Sequence, residues 1–473
     1  ERTVGDEVIG ATVNQNGMIK VKATKVGKDT FLSQVVKMVE EAQGTKVPIQ
    51  EFADRITGIF VPTVLIIAAA TFILWLVFPE GFRSIGFWAQ SFLPWVNPTL
   101  GTFTLAIFAT IAVLVIACPC ALGLATPTVL MVGSGIGAEN GVLIRKGEAI
   151  QTMKDVHTIV FDKTGTITKG KPEVTDLVTT NGTSEEDLLQ QAASVESGSE
   201  HPLGVSIVNG AKDRGLEIKP VEDFAAVTGK GVKAKIAGKD VLVGSRRLMN
   251  EAGIDPTGLE KDMIRLEEEA KTAMLVATEN RLLGIVAVAD ALKEDSVNAI
   301  RELKELGLET AMITGDNERT AKAIAKEVGI DHVLAEVLPD GKVDEVMKLQ
   351  DKFGIIAMVG DGINDAPALT QANVGIAIGT GTDIAIESSD ITLVRGDLSA
   401  VITAVKLSRA TFRKIKQNLF WAFIYNTVAI PFAIVGLLHP VIAEIAMATS
   451  SISVITNANM LRRVDVKPSY EQE

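Results

Sequence analysis

The chain contains very little cysteine and has no excess of positive charge. Its 473 residues include two cysteines, Cys118 and Cys120, and both lie in an apolar stretch, which excludes a disulfide framework. The formal net charge of −12 argues against a nucleic-acid partner, because phosphate backbones are bound by basic surfaces. An acidic cytosolic enzyme is compatible with this balance.

Two common sequence signals are also missing. No GxxxxGK(S/T) motif occurs, which argues against P-loop NTPases and ABC transporters. No signal peptide is visible, and the first residue is Glu1 instead of an initiator Met. We therefore expect the chain to begin partway through a longer protein.

Long apolar runs, by contrast, occur in four places. Each is long enough to cross a bilayer, which takes about 20 residues, and backbone groups in lipid must find partners within the segment, so helices are predicted. Buried helices of a large soluble core are the disfavoured alternative, since four such runs with charged flanks seldom occur together. The runs extend over residues 57–78, 103–132, 417–438 and 441–461.

Basic residues flank the four runs on one side only. The connections at 79–100 and 439–440 contain one base and none, respectively. The positive-inside rule then places both termini and residues 139–414 in the cytosol. We expect an integral membrane protein of the plasma or inner membrane. The flanking bases are Arg55, Arg145, Lys146, Arg413, Lys414, Lys416, Arg462 and Arg463.

The region between the second and third runs alternates strand-like and helix-like segments. Buried strand patterns at 156–161, 283–289, 310–313 and 355–359 predict a doubly wound parallel sheet, with sites at the carboxyl ends of its strands. Residues 172–282 separate the first strand from the others and predict an inserted second domain. Residues 4–30 alternate polar and apolar positions around Gly turns, which predicts a β-rich fragment.

Several acidic motifs follow these strands. Asp162, in FDKTGT, comes directly after the first strand, where a carboxylate beside a Gly turn can act as a nucleophile toward phosphorus. TGD at 314–316, PDGK at 339–342 and GDGINDAP at 360–367 lie downstream and could converge with it. Clustered carboxylates with one lysine suit Mg²⁺ and a transferring phosphoryl group. A single Asp after a strand is often only a helix cap, so the prediction depends on the whole set.

The motifs DKTGT, TGD and GDGxNDxP, in this order, make the chain resemble the P-type ATPases over nearly all of residues 4–463. The resemblance implies a phosphorylation domain of the haloacid-dehalogenase fold in which Asp162 becomes an aspartyl-phosphate. It implies that Thr164 helps to hold Mg²⁺, and that Thr314 and Lys342 contact the phosphoryl group. The implied catalytic residues are Asp162, Thr164, Thr314, Gly315, Asp316, Lys342 and Asn364, and the implied Mg²⁺ ligands are Asp361 and Asp365.

The predicted inserted domain carries SEHP at 199–202 and GKG at 229–231. Alone, His-Pro indicates a turn, and GxG is a weak phosphate signal. Both motifs resemble those with which the heavy-metal branch of the P-type ATPases binds nucleotide, which implies ATP binding by Glu200, His201, Gly229 and Gly231. That branch commonly has Asn after the Gly of a later motif, and Ser245 departs from this pattern.

Cys118-Pro119-Cys120 lies deep in the second apolar run. Pro119 cannot donate a backbone hydrogen bond, so the helix must loosen there. In an unbroken helix two thiols two residues apart would diverge, and the break lets both face one ion. Thiolates select soft ions such as Cu⁺ and Zn²⁺ over Na⁺ or Ca²⁺. The motif resembles the CPC signature of the heavy-metal branch, although a single Cys is also an acceptable apolar filler.

The choice of ion depends on the third and fourth runs. Tyr425 and Asn426 form a YN pair, and Met447 and Ser451 belong to an MxxSS motif. Both motifs resemble the Cu⁺ subgroup, whereas the zinc and cadmium subgroup typically has Lys and Asp there. Each of these polar residues alone would favour helix–helix hydrogen bonding. With the cysteines, the resemblance implies Cu⁺ ligation by Cys118, Cys120, Tyr425, Asn426, Met447 and Ser451.

The sequence thus predicts an ATP-driven exporter of Cu⁺, with Ag⁺ as a second candidate ion. The exporter is expected to lie in membrane lipid and to receive Cu⁺ from a soluble copper donor protein. The alternatives are a Zn²⁺ or Cd²⁺ pump, a membrane-tethered phosphatase, and a fragment without turnover. The TGE loop of an actuator domain and CxxC modules are missing. The expected parts are the end of an actuator domain (1–45), membrane helices (46–138 and 413–463), a phosphorylation domain (139–171 and 283–412), an α+β nucleotide-binding domain (172–282) and a tail (464–473).

Glu444 is the only Asp, Glu, Lys or Arg between Lys416 and Arg462. It lies three residues before Met447 and seven before Ser451, so all three share a predicted helical face. The first interpretation is a solvated residue at the outer interface, near a helix N-terminus. The second is an exit route on which Glu444 draws Cu⁺ off the soft ligands, because intramembrane carboxylates tend to face a pathway.

Overall fold

The computed structural model describes residues 20–22, 48–180, 182–199, 201–227, 229–279, 281–338, 341–361, 365–379 and 387–471. The predicted β-rich fragment at 4–30 and the predicted actuator segment at 1–45 lie outside the described residues, apart from residues 20–22. The chain divides into two compact units. The first contains Glu1–Lys154 and Thr403–Val466, and the second contains Asp155–Ile402 and Lys467–Glu473.

The helices and strands are numbered in chain order. The amino-terminal part contains α1 (Pro48–Val77), α2 (Pro79–Ala89), α3 (Thr102–Ile116), α4 (Leu122–Glu139), β1 (Val142–Ile144) and α5 (Gly147–Met153). The middle part begins with β2 (Thr158–Asp162), β3 (Thr168–Thr179), α6 (Glu185–Glu196), α7 (Pro202–Asp213), β4 (Glu222–Val227), β5 (Gly231–Ile236), β6 (Lys239–Gly244), α8 (Arg246–Glu251), α9 (Glu260–Glu268), β7 (Thr272–Thr278) and β8 (Arg281–Leu292).

The remaining elements complete the second unit and return to the first. They are α10 (Ser296–Glu305), β9 (Glu309–Ile313), α11 (Glu318–Val328), β10 (His332–Leu334), α12 (Lys342–Phe353), β11 (Ile356–Gly360), α13 (Ala366–Gln371), β12 (Val374–Ile378), β13 (Ile391–Leu393), α14 (Ser399–Ile434) and α15 (Pro440–Asn459).

All four predicted apolar runs are largely helical, but they differ in continuity. Among the described residues, two helices are long and apolar enough to cross a membrane, Ala53–Val77 and Pro440–Arg463, and they correspond to the first and fourth runs. The second run is divided into α3 and α4 by a break at 117–121, as the proline between the cysteines predicts. The third run lies in α14, which ends at Ile434, short of the predicted end at 438.

The second unit contains a parallel sheet. Within this unit its strand order is β13–β12–β11–β2–β9–β10, and every neighbouring pair is parallel. The strands β2, β11 and β12 are buried along their whole length, as expected for strands that are covered on both faces. The predicted strands at 156–161, 310–313 and 355–359 are therefore confirmed in this sheet, with ends shifted by one or two residues.

The strand predicted at 283–289 belongs to a different sheet, so that assignment was wrong. It forms β8, which pairs antiparallel with β3 and β7 in a six-stranded sheet of order β3–β8–β7–β6–β5–β4. Residues Ile285–Val288 are buried without alternation because helices cover the sheet, and this pattern is the same as that of a parallel strand. The periodicity of the sequence therefore could not distinguish a strand of the antiparallel sheet from a strand of the parallel sheet.

Asp290 connects the chain segments that cross between the two sheets. Its Oδ2 accepts hydrogen bonds from Thr168 Oγ1 at 2.6 Å and from the Gly170 N–H at 3.1 Å, and its Oδ1 accepts one from the Lys171 N–H at 3.1 Å. The Ser296 hydroxyl donates to the Ile167 carbonyl at 2.7 Å. These bonds fix the start of β3, and so they fix the turn that follows Asp162.

Candidate functional site

Asp162 is the last residue of β2, and its buried carboxylate is paired with a lysine. In the register of the parallel sheet it lies opposite Ile313, so both strands end at the same edge. Lys342 Nζ donates to Asp162 Oδ1 at 2.6 Å and to Asp365 Oδ1 at 2.6 Å. Lys342 begins α12 and Asp365 immediately precedes α13. Three elements thus bring together three of the side chains that the sequence predicts at this site.

Asp361 completes a cluster of three carboxylates. One carboxylate oxygen from each of Asp162, Asp361 and Asp365 lies within 4.8 Å of the others. When all are ionised, these three groups and Lys342 have a net negative charge. Oxygen ligands and negative charge are what Mg²⁺ requires, so the residues present fit the predicted ion. Asn364, which was also predicted here, lies outside the described residues.

Burial and repulsion change the protonation of this cluster. Burial and then the charge of Asp365 raise the pKa of Asp162 to about 7, while Lys342 opposes the rise. Burial and Asp365 likewise raise the pKa of Asp361 to about 6. Burial lowers the pKa of Lys342, but the two carboxylates outweigh it and the pKa is raised, so this amine stays protonated. A divalent cation would relieve the repulsion among the carboxylates.

The turn after β2 has no room for a side chain at Gly165. A Cβ atom there would overlap the carboxylate of Asp361, and the backbone φ is +74°. Within the turn Lys163–Ile167, Thr164 also has non-helical angles, with φ −74° and ψ 126°. The glycine of DKTGT is therefore required by close approach as well as by conformation, and it allows the turn to touch the end of β11.

The TGD motif follows β9 and is tied back to the same turn. Thr314 is buried, and its Oγ1 accepts a hydrogen bond from the Asp316 N–H at 3.1 Å across Gly315. Lys163 Nζ donates to Asp316 Oδ2 at 2.6 Å. Lys163 was not among the predicted site residues, although its charge could have suggested a partner for the Asp of TGD. The pair connects the residue next to Asp162 with the motif on the neighbouring strand.

His201 immediately precedes α7, in the domain that contains the antiparallel sheet. Its Nδ1 accepts a hydrogen bond from the Leu203 N–H at 3.3 Å, so the residue caps the helix. The pKa of His201 is lowered, first because neighbouring protein partly desolvates the ring and then because Lys163 lies close. The cap accounts for the His-Pro pair structurally, and the nearby Lys163 places the ring on the side of the aspartate site. Glu200 lies outside the described residues.

The glycines of GKG are required by the backbone. Gly229 has φ +69° and Gly231 has φ +141°. Gly231 pairs with Gly244 between β5 and β6, and a Cβ on either would overlap a backbone carbonyl. The Ser245 N–H donates to the Lys230 carbonyl at 2.8 Å, while the Ser245 hydroxyl is buried with no hydrogen-bond partner among the described residues. A buried hydroxyl of this kind is available to a ligand.

Glu196 is a buried acid that the sequence motifs did not single out. It is the last residue of α6, 5% exposed, and a Cβ on Gly204 would overlap its carboxylate. Burial raises the pKa of Glu196 to about 7, and a hydrogen bond with Ser199 only partly offsets this. Glu196 precedes SEHP by three residues, and this spacing next to a candidate nucleotide motif was the available signal. A buried carboxyl beside such a motif is a candidate ligand.

The two cysteines lie at the break between α3 and α4. The first helix ends at Ile116 and the second begins at Leu122. Both side chains are exposed, and the two thiols are close enough to hydrogen-bond to each other. Glu444 on α15 is near enough to Cys120 to interact with it electrostatically. The break therefore brings the thiols together, as the Cys-Pro-Cys pattern predicts.

The other predicted ion ligands occupy different surroundings. Asn426 is buried and donates hydrogen bonds at the break, while Met447 packs against the apolar cluster that contains Ile116. The Tyr425 hydroxyl lies 3.1 Å from Ser453 Oγ, within the α14–α15 pair. Ser451 is half-buried on α15. The structure thus brings Asn426 to the cysteines directly and Met447 to the end of α3.

Comparisons with known proteins identify the family to which the chain is similar. Residues 156–373 match the family of haloacid dehalogenase-like hydrolases. A Bacillus subtilis (strain 168) protein named copper-exporting P-type ATPase is 53% identical over 464 residues, which cover 98% of this chain and 56% of that protein. A Mycobacterium tuberculosis (strain H37Rv) protein named probable copper-exporting P-type ATPase V is 51% identical, with coverage of 98% and 58%. The chain spans little more than half the length of these curated relatives.

Solved structures are similar over most of the chain. The crystal structure of a zinc-transporting PIB-type ATPase in the E2·Pi state has a TM-score of 0.66 and 34% sequence identity, and the match covers 92% of this chain and 68% of that one. A second crystal structure of a zinc-transporting PIB-type ATPase, in another state, has a TM-score of 0.58 and 34% identity, with coverage of 93% and 68%.

Proposed function

The chain belongs to the PIB-type ATPase family, and from this premise we propose that it exports Cu⁺ across a membrane at the expense of ATP, through an aspartyl-phosphate on Asp162. Ag⁺ is a second candidate ion. The observation that carries the proposal of a soft ion is the pair of adjacent thiols at the break between α3 and α4. Thiolates favour Cu⁺ and Zn²⁺ over hard ions, and between these two the thioether of Met447 favours Cu⁺. Relatives that are 53% and 51% identical to this chain over 464 aligned residues bear copper-exporting names.

Asp162 is the nucleophile of the proposed reaction. Its carboxylate oxygen attacks the γ-phosphorus of ATP, the bond to the β-phosphate oxygen breaks, and ADP leaves with that electron pair. Water later cleaves the acyl phosphate and restores the carboxylate. Lys342, 2.6 Å from Asp162, fixes the orientation of the nucleophile and neutralises charge on the phosphoryl group, and Thr314 contacts the same group.

Mg²⁺ is the proposed cofactor. Asp361 and Asp365, with Thr164, would hold it, and it supplies neutralisation of the charge on the phosphoryl oxygens. We retain Gly315, Asp316 and Asn364 as proposed catalytic residues, because the resemblance of their motifs to those of the P-type ATPases implies this role. Asp316 acts through its ion pair with Lys163, which stabilises the turn beside Asp162.

ATP is proposed to bind on the antiparallel sheet's domain. His201 lies at the start of α7, near Lys163, and can contact the base while the phosphates extend toward Asp162. Gly229 and Gly231 allow close approach of the backbone to the nucleotide. Glu200, the acidic residue of SEHP, remains a proposed ATP-binding residue. We add Glu196, because burial raises the pKa of its carboxyl to about 7, so about half of these groups are protonated at neutral pH and could donate a hydrogen bond to a ring nitrogen.

Cu⁺ is the proposed cargo of the first unit. Cys118 and Cys120 supply two sulfur ligands, and the thioether of Met447 supplies a third soft group that suits Cu⁺ better than Zn²⁺. Tyr425, Asn426 and Ser451 complete the set implied by the resemblance. We further propose a plasma or inner membrane location in lipid, with the second unit in the cytosol, and delivery of Cu⁺ by a soluble donor protein.

The decisive experiment measures metal-stimulated phosphorylation of the full-length protein by γ-labelled ATP. Replacement of both Cys118 and Cys120 by Ser should abolish stimulation by Cu⁺, because a neutral hydroxyl is a poor ligand for a soft ion. The Cu⁺ affinity should fall by at least about 100-fold, beyond what changes outside the ligand shell cause. Unchanged Cu⁺ stimulation in the double variant would contradict the proposal.

The same assay distinguishes the rival functions. Stimulation by Zn²⁺ or Cd²⁺ and none by Cu⁺ would indicate a zinc or cadmium pump, and zinc transport is the activity named for the similar solved structures. Uptake of Cu⁺ into sealed inside-out vesicles tests transport directly. Phosphate release without any uptake would instead indicate a membrane-tethered phosphatase.

A further inference from the structure

The break between α3 and α4 leaves backbone carbonyls without helical partners. In a continuous helix the carbonyl of Ile116 would accept from the N–H of Cys120, and that of Cys118 from the N–H of Leu122. The last turn of any helix loses such partners. Here the Leu122 N–H donates to Pro119 instead, at 2.9 Å. Buried carbonyls at an apolar break need other donors.

Asn426 supplies the missing donors. Its Nδ2 donates to the Ile116 carbonyl at 2.8 Å and to the Cys118 carbonyl at 3.1 Å. An amide NH₂ has two hydrogens, so both are used by the backbone of the break. The side chain is 4% exposed. One of its two partners belongs to a cysteine of the ion site itself.

The same helix contains a second buried amide that contacts α4 beyond the break. Asn418 Nδ2 donates to the Ala125 carbonyl at 3.0 Å, and Asn418 Oδ1 accepts from Asn457 Nδ2 at 2.7 Å. Asn418 is fully buried, and its carbonyl partner lies five residues after Cys120. It therefore offers a matched comparison, a buried amide on α14 that bonds a backbone carbonyl away from the thiols.

We propose that Asn426 is a positioning residue of the ion site, whose two amide N–H groups hold the Ile116 and Cys118 carbonyls and thereby set the separation of the Cys118 and Cys120 thiols. This inference rests on the proposed function and deepens it. It replaces the role of direct ligand that the family resemblance implies for Asn426. The important atom is the nitrogen, which cannot bind a cation, and not the amide oxygen.

Substitution by aspartate separates these two roles. Asn426→Asp keeps the side-chain size and the oxygen ligands, and its charge makes it a better cation ligand, but the ionised form loses both donors. Asn426→Leu loses donors and oxygens together. Positioning predicts that both variants weaken Cu⁺ binding to a similar extent, by about tenfold or more, since each leaves buried acceptors unpaired. Direct ligation predicts that the leucine variant alone is impaired.

The measurements are made on the full-length protein in detergent. Competition with bicinchoninate gives the Cu⁺ affinity, and X-ray absorption at the copper edge gives the number and spread of Cu–S distances. We expect Asn426→Asp and Asn426→Leu to alter the Cu–S pattern, and Asn426→Ser, which keeps one donor, to fall between them and the parent. Parental affinity and Cu–S distances in Asn426→Asp would overturn the inference.

Asn418→Leu is the control for a general loss of packing. It should lower the thermal unfolding temperature while it leaves the Cu–S distances unchanged. If Asn418→Leu alters the Cu–S distances as much as Asn426→Leu does, the effect is general destabilisation and the inference fails. Failure of the pump proposal has a different signature, because the double cysteine variant would then keep its Cu⁺ stimulation whatever the Asn426 variants do.

Discussion

The aspartate site of the second unit and the thiol site of the first are both built where a regular element ends, yet they are organised differently. At the aspartate site the functional side chains bond to one another, with Lys342 2.6 Å from both Asp162 and Asp365. At the thiol site the two cysteine side chains are exposed, and a buried amide, that of Asn426, donates hydrogen bonds to the backbone. The charged side chains of the aspartate site hold one another in place. At the thiol site, by contrast, hydrogen bonds to the backbone hold the segment that contains the cysteines.

This difference corresponds to what each site must do. A phosphoryl transfer site gains from charges fixed in advance, because they cost no reorganisation during the reaction. An ion that must bind and later leave is better served by ligands that are not held in ion pairs with one another. Substitutions at the aspartate site should therefore affect chemistry more than affinity, and substitutions at the thiol site should do the reverse.

The largest expected effect follows from Asp162→Asn. The amide is not a nucleophile, so phosphoenzyme formation should fall by a factor on the order of a million, as removal of a nucleophile does in other enzymes. The measurement is incorporation of label from γ-labelled ATP. Cu⁺ affinity should stay at the parental value, and Asp351→Asn, an exposed change on α12, should label normally. Parental labelling of Asp162→Asn would remove this residue from its role.

Lys342→Met should have the next largest effect. It removes the cation between two buried carboxylates, and the phosphorylation rate should fall about 10²- to 10³-fold, as loss of one preorganised donor does. Rapid-quench kinetics measures that rate at saturating ATP. Lys348→Met, on the exposed face of the same helix, is the matched control. A change confined to the ATP concentration required would show that Lys342 serves binding and not chemistry.

Glu196→Gln tests what burial does to a carboxyl that lacks the lysine of the aspartate site. The pKa of Glu196 is raised from 4.5 to about 7, so the folded state holds a proton that the unfolded state has lost, and stability falls as the pH rises across this window. The variant should remove that dependence and stabilise α6 by at most about 3 kcal/mol at pH 8, with no gain at pH 4.

Hydrogen exchange of the α6 amides, corrected for the intrinsic rate at each pH, measures this effect locally. Glu186→Gln, an exposed change on the same helix, should leave the pH dependence as it is. If the profiles of Glu196→Gln and the parent coincide from pH 4 to 8, Glu196 is ionised in the folded protein.

The smallest expected effect is that of Glu444→Gln. Glu444 is exposed and lies close to Cys120, as an exit-route residue would. Slower Cu⁺ release should slow dephosphorylation by about tenfold at most, a barrier change of about 1.4 kcal/mol, without altering phosphorylation by ATP. Chase of labelled phosphoenzyme with unlabelled ATP gives the rate. Identical rates would assign Glu444 to the membrane interface.

Much of the aspartate site could be predicted because strand ends in a parallel sheet share one edge. Asp162, Thr314 and Asp361 each lie at the end of a buried strand, so their proximity follows from topology alone. Lys163 was missed because its role depends on a partner in another strand's loop, which no local pattern reveals. Glu196 was missed because burial of a helix end depends on the tertiary packing of α6.

The thiol site was predictable to a smaller extent. Pro119 gives a local reason for the break, and the structure has the break where the sequence predicts it. Helical spacing, however, gives the face of a residue and not its hydrogen-bond partner. Tyr425 and Asn426 are neighbours in sequence, yet one bonds to Ser453 and the other to the broken backbone. The sheet assignment of β8 failed for a similar reason, since continuous burial is common to both sheets.

The burial of Lys342 determines how the protein should respond to ionic strength. The lysine is 8% exposed and pairs with two buried carboxylates, so mobile ions in solution can screen it only weakly. Arg247 and Glu336 form a pair of similar length, 2.6 Å, but their side chains are 69% and 47% exposed. Raising potassium chloride should weaken the exposed pair and leave the buried one intact. A salt titration of single-turnover phosphorylation at saturating nucleotide should therefore be flat.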